Sequence, residues 1–309
     1  MEERDSMSVS GRVAYREELT ELAYMDEKII CIEADLGGKH HPFQISHPDR
    51  FFNMGIAEMA SIDMAAGLAE VGYIPFFSTF SSFASLRGAE SIKLAMGYMK
   101  KNIKIVAPYG GVAGGWFGTT HHCLEDISII QTFQNIKIAC PHGETETRTV
   151  IREAATSKEP YYIRLSRNDT FQSIYRDDNI SCEEMLIEGL TKSAELCLIS
   201  VGEQATEICK QVKVEYPSLA HVHLCYVDIN NLKKYAGKLK GISDKFIVVE
   251  EHRATGSVAS YLSLLLPTCN IFSHNCGEKW PEFGGQHKDI LNYLNFGIDN
   301  LKEQMQTIL

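Results

Sequence analysis

The chain has 309 residues, 44% of them apolar, and a formal net charge of −10 at pH 7. An acidic balance with no long basic run excludes a nucleic-acid surface, because phosphate backbones require clustered Lys and Arg. No apolar run reaches the roughly 18 residues of a spanning helix, and the opening residues Met1-Glu2-Glu3-Arg4-Asp5 lack the apolar centre of a secretory signal, so a cytoplasmic protein without membrane contact is expected.

Short apolar runs at residues 29–32, 73–77, 103–106, 136–139 and 161–165 alternate with stretches long enough for crossover helices. Such alternation predicts a largely parallel, doubly wound sheet with ligand sites at the carboxyl ends of its strands. Residues 176–181 have the polar composition of a linker, and the alternation restarts with runs at 196–201, 222–227 and 246–251. The expectation is therefore an α/β protein of two doubly wound domains, residues 1–175 and 183–309. Nine cysteines without a Cys-X-X-Cys pair are no disulfide framework and should be buried, unreactive thiols.

Within the first unit, residues 51–69 place one carboxylate in an apolar setting. Asn53 is expected to cap a helix whose apolar face is Met59, Ile62, Ala65, Ala66 and Ala69. Glu58 is then half buried near the helix start, where it either serves the dipole or shares a proton with a ring nitrogen near neutral pH. Phe80 and Phe83 follow a strand end and either stack a ligand ring or pack the core. The glycine-rich stretch 110–115 can bring backbone close to a ligand, although it matches no phosphate-loop spacing. After it, His121 either meets a substrate oxygen or caps a helix. The His121-His122-Cys123 run lacks partner ligands at metal-binding spacing, so no metal ligands are assigned.

Gly55-Ile56-Ala57-Glu58, Ala66-Gly67-Leu68-Ala69, Pro75, Thr79-Phe80, Phe83 and Thr120-His121 together resemble the pyrimidine-binding domain of transketolases and deoxyxylulose phosphate synthase. Residues 246–252 with Gly256-Ser257, and Phe283-Gly284-Gly285, resemble the carboxyl-terminal domain of the same superfamily. The resemblance covers nearly the whole chain. It implies thiamine diphosphate as cofactor, with Glu58 at the aminopyrimidine nitrogen, where it promotes the imino tautomer that deprotonates the thiazolium carbon. Ile56, Phe80 and Phe83 match residues of the pyrimidine pocket, in which a third family aromatic is replaced by Leu86. Asp35 matches an aspartate near the cofactor and the subunit interface. His121 matches a histidine facing the donor, and Arg16 and Arg167 match arginines that bind the substrate phosphate. Lys39 and Tyr109 stand where transketolases have a serine and a histidine. Phe117 stands where the family carries an aspartate that can bond a donor hydroxyl.

The family's diphosphate domain carries a Gly-Asp-Gly motif, and this chain has none. The resemblance thus implies the pyrimidine-domain subunit of a split transketolase, with Mg2+ and the diphosphate held by a partner subunit in an α2β2 heterotetramer. Its reaction would transfer a two-carbon unit from a ketose or 2-oxo acid donor to an aldehyde or ketone, with a deoxy or pyruvate-like donor favoured by Phe117. Alternatives are the β subunit of a 2-oxo acid dehydrogenase and a non-catalytic scaffold, the latter having no need of Glu58.

Overall fold

The strands of the first sheet are short and largely apolar on both faces, which demands cover on both sides. A computed structural model describes residues 8–36, 38, 40–167, 170–171, 181–189 and 192–309. Strands β1 (Ile29–Glu33), β2 (Phe51–Asn53), β3 (Ile74–Ser78), β4 (Lys104–Ala107), β5 (Lys137–Ala139) and β6 (Tyr161–Arg164) form one parallel sheet in the order β2-β1-β3-β4-β6-β5. Helices Gly11–Met25, Glu58–Glu70, Asp126–Thr132 and Gly143–Thr156 are among its cover. A second sheet holds β7 (Leu186–Glu188), β8 (Cys197–Val201), β9 (Ala220–Leu224), β10 (Lys245–Glu250) and β11 (Asn270–His274) in the order β11-β10-β8-β9-β7. Among the described residues, only β7 runs antiparallel, against β9.

The two sheets meet at the β5 edge. Ala139 pairs with Tyr226, the Cys140 N–H donates to Cys225 O at 2.7 Å, and the Val227 N–H donates to Ile138 O at 2.9 Å. Ile138, Cys140 and Tyr162 share one apolar cluster with Ile199, Leu224 and Val227. All cysteines except Cys269 are buried, none is in a disulfide, and burial pushes the Cys140 and Cys197 thiols up to about 12.

Two local expectations change. Asn53 does not cap the following helix: it ends β2, and its Oδ1 accepts the N–H groups of Gly55 at 3.0 Å and Asp35 at 3.3 Å. Spending its side chain there ties the ends of β1 and β2 together and leaves Ala57 as the helix boundary. The buried face of that helix is Glu58, Ser61, Ile62 and Ala65, while Met59 is exposed. Residues 176–180 of the expected linker, and Lys39, lie outside the described residues.

Candidate active site

Gly55, at φ +66, turns the chain out of β2 so that the helix begins at Glu58 with its side chain pointing inward. Glu58 is only 3% exposed. Its counter-charge is Arg87, whose Nη1 lies 2.9 and 3.0 Å from the two carboxylate oxygens. Arg87 closes the π-helical turn Phe83–Arg87, and its guanidinium lies 4.5 Å from the Phe83 ring centroid. Phe83 stacks on Phe80 at 5.5 Å and 18°. The Arg87 side chain is 49% exposed, so the pair is accessible while the carboxylate itself is enclosed.

Around this stack the carboxyl ends of β3 and β4 gather a second set of rings. Phe80 lies 4.0 Å from Tyr109 and 5.5 Å from His121 between centroids, and His121 is 5.1 Å from Phe83. Phe117 stacks on His121 at 4.9 Å and 26°. Partial burial and the Arg87 charge lower the His121 pKa, which keeps the imidazole neutral at pH 7. Tyr109 has φ +66, a strained conformation for a bulky residue and one often found at functional sites.

Three guanidinium groups converge here. Arg167 lies 5.2 Å from the Tyr109 ring and 5.3 Å from the Phe117 ring. Arg12 donates to Tyr109 Oη at 3.3 Å and to Leu36 O at 3.3 Å, and Arg16 donates to the same carbonyl at 2.7 Å. Arg16 also sits 3.5 Å from Glu33. Burial and the neighbouring Arg16 lower the Arg12 pKa. Such a cleft suits an anion.

The structure thus brings Glu58, Phe80, Phe83, Tyr109, Phe117, His121 and Arg167 into one neighbourhood, with Arg16 beside it. Asp35 is an exposed residue at φ +58 held by its backbone N–H to Asn53, and Ile56 is 74% exposed beside the helix start. Arg12 and Arg87 were not read from the sequence. Arg87 lies four residues after Phe83, a spacing at which helical side chains meet; nothing local marks Arg12.

The glycine-rich loop packs its backbone against two charged side chains. A Cβ on Gly110 would come 2.7 Å from Arg164 Nε, and one on Gly111 would come 2.1 Å from Glu251 Oε1. Glu251 Oε1 accepts the Val112 N–H at 2.7 Å and lies 2.9 Å from His287 Nε2. Arg164 pairs with Asp126 at 2.9 Å and donates to Glu251 O at 2.9 Å. The loop is therefore clamped by Arg164 at the end of β6 and by Glu251 just after β10, and this seats Trp116 and Phe117 at the site. A cavity of about 100 Å³ between them is lined by Arg167, Trp116, Gly285 and His287 among others.

Residues 7–172 match the family model of the transketolase pyrimidine binding domain. The putative transketolase C-terminal section of Methanocaldococcus jannaschii is 34% identical over 304 residues, covering 93% of this chain and 92% of its own. One of the subunits of the apulose-4-phosphate transketolase of Phocaeicola vulgatus is 28% identical over 260 residues, covering 82% of each chain. Among solved structures, one described as a split gene transketolase, inactive beta4 tetramer, superposes with a TM-score of 0.83 at 25% identity, covering 98% of this chain and 99% of its own.

Proposed function

This chain belongs to the transketolase family, and from that premise we propose that it is the pyrimidine-domain subunit of a split, thiamine-diphosphate-dependent enzyme that transfers a two-carbon unit. One observation carries the reading: the enclosed Glu58 carboxylate faces a planar N–H donor, the Arg87 guanidinium, that is also stacked on Phe83. A flat, hydrogen-bonding cation thus already fits between the carboxylate and the aromatic stack, and an aminopyrimidine ring makes the same two demands. The residues present fit the group.

When bound, the cofactor supplies the nucleophilic carbon that accepts the two-carbon unit. Glu58 holds or returns a proton at the ring nitrogen. Phe80, Phe83 and Ile56 pack the ring, and Asp35 borders it at the subunit edge. Arg12, Arg16 and Arg167 hold an anionic end of the substrate, with Tyr109 beside them, and the resemblance assigns Lys39 to the same end. His121, neutral at pH 7, donates to or accepts from a substrate oxygen. The relative named for apulose-4-phosphate supports a sugar with an anionic end. Mg2+ and the diphosphate are assigned to a partner subunit, with α2β2 assembly, and the domain limits 1–175 and 183–309 complete the proposal. The neighbour described as an inactive beta4 tetramer supports a chain that folds without activity on its own.

The test is reconstitution. The purified chain should be folded and inactive, and a copurifying partner that carries a Gly-Asp-Gly motif should create thiamine-diphosphate-dependent turnover. Turnover by the chain alone would refute the split reading. An assembled but inert complex, tried on ketose phosphates and 2-oxo acids, would refute the enzymatic one.

A further inference from the structure

The junction between the two sheets holds a second group of reactive side chains that the proposed reaction does not use. Cys182 Sγ, Cys225 Sγ and a carboxylate oxygen of Glu146 lie within 4.8 Å of one another. Glu146 stands in the first turn of Gly143–Thr156, Cys182 just ahead of β7, and Cys225 just after β9. His223, two residues before Cys225 and so on the same side of an extended chain, brings Nε2 to 2.9 Å from Glu146 Oε2. All four residues are buried.

The hydrogen bonds around this group leave ligand atoms unspent. Thr206 Oγ1 lies 2.6 Å from Gly202 O and donates there, so at 2.9 Å it accepts from His223 Nδ1. A proton on Nδ1 leaves Nε2 as the ring's ligand atom, 2.9 Å from a carboxylate oxygen of Glu146. Glu146 Oε2 is further fixed by the His142 N–H at 2.6 Å, whereas its Oε1 is buried without a hydrogen-bond partner among the described residues. Two thiols and a free carboxylate oxygen are what a thiophilic divalent ion requires.

We propose that Glu146, Cys182, Cys225 and His223 form a structural zinc site that fastens the segment entering β7 to both sheets. Zinc takes four S, N and O ligands tetrahedrally at about 2.0–2.3 Å; the two thiols and the carboxylate already stand within 4.8 Å of one another, and His223 joins them through its contact with that carboxylate. Binding releases the two thiol protons and leaves the centre with one net negative charge, from two thiolates and a carboxylate against the dication. Thr206 on Nδ1 orients the imidazole ligand, and the His142 N–H orients the carboxylate. Only His223 and Cys225 are near one another in sequence and the four form no zinc spacing motif, so the sequence offers no sign of them. A second group, Cys31, Glu33 and His41, is equally close-set, but Arg16 at 3.5 Å from Glu33 already supplies its positive charge.

The full-length chain, produced with zinc in the medium, should carry one zinc per chain by elemental analysis. Cobalt exchanged into it should give tetrahedral d–d absorption and a thiolate-to-cobalt charge-transfer band. Cys182→Ser and Cys225→Ser should lose the ion, and Cys31→Ser should keep it. Should the serine variants fail to fold, the cobalt spectrum of the wild-type chain decides. Metal well below one per chain together with no cobalt–thiolate band would overturn the site and leave His223 and Glu146 as an imidazolium–carboxylate pair. Loss of the ion in Cys31→Ser with retention in Cys225→Ser would overturn its placement.

Discussion

Arg87 holds Glu58 by both carboxylate oxygens, at 2.9 and 3.0 Å, while its guanidinium covers the Phe83 ring. A ring nitrogen reaching Glu58 must take over at least one of those contacts. The cation is half exposed, so its hold is screened and is worth about 0.5–1 kcal/mol. Removing it should therefore tighten binding of the ring by roughly 2–5-fold. Titration calorimetry of thiamine diphosphate into the reconstituted complex checks this: Arg87→Ala should bind more tightly than wild type, and weaker binding would show that Arg87 supports the ring instead.

Glu58→Ala should leave folding and assembly intact, because the carboxylate is held by the half-exposed Arg87 rather than by the core. Loss of a positioned acid or base typically costs 10²–10⁴-fold, on the order of what is expected here. Deuterium exchange at the thiazolium carbon in the assembled complex reads this step, and a wild-type exchange rate in the variant would remove Glu58 from it.

The sequence displayed most of the framework because buried parallel strands are written as continuous apolar runs, as in β1, β4, β8 and β10. It hid the three-residue edge strands β2 and β7, and β11, which mixes Asn270, Ser273 and His274 into its run. At the site, Glu58 was legible because helical periodicity isolates it among apolar residues. Arg12 was not, since its link to Tyr109 spans 97 positions and exists only once the first helix lies beside the end of β4. The partners of the glycine loop were hidden for a related reason. Spacing shows that backbone comes close to something, but only tertiary structure reveals that the something is Glu251 and Arg164.

That loop makes a sharp stability prediction. Gly111 combines φ +67 with a Cβ position 2.1 Å from Glu251 Oε1. Alanine there adds left-handed strain and forces the buried carboxylate from the Val112 N–H, together about 2–4 kcal/mol. Chemical denaturation of Gly111→Ala against Gly277→Ala is the comparison, since Gly277 shares the positive φ, at +62, but opens on empty space. Equal losses would mean that the contact with Glu251 contributes nothing.

His252 sets a pH dependence. Its Nδ1–H donates to Arg253 O at 2.8 Å and its Nε2 accepts the Ser128 N–H at 3.4 Å, so the buried ring is neutral. Burial lowers its pKa to about 4. Between that value and the ordinary one of about 6.5, the unfolded chain binds a proton that the folded chain refuses. Stability therefore rises with pH across this window, is complete above it, and falls by about 3 kcal/mol as pH drops to 4. His142, His221 and His274, also lowered by burial, act in the same direction. Melting temperatures at pH 7 and pH 5 should differ less in His252→Gln than in wild type; an unchanged difference would assign the acid sensitivity to the other histidines.

The proposed donor preference rests on Phe117. Its ring stacks on His121, lies 5.3 Å from the Arg167 guanidinium and is 48% exposed, so it forms a wall of the cleft and is not core packing. Where the family's aspartate accepts a donor hydroxyl, a phenyl ring accepts nothing. A hydroxyl enclosed there loses its partner, at a cost of roughly 1–3 kcal/mol. A pyruvate-like or deoxy donor has no hydroxyl to leave unpaired and escapes that loss. The reconstituted complex should then show kcat/KM values for pyruvate above those for xylulose and fructose phosphates. Phe117→Asp should shift the ratio toward the ketose phosphates by roughly 5–150-fold, the same free energy read as a rate. A wild-type preference for ketose phosphates that Phe117→Asp leaves unchanged would mean that another residue meets the hydroxyl and that Phe117 serves only to support His121 and Arg167.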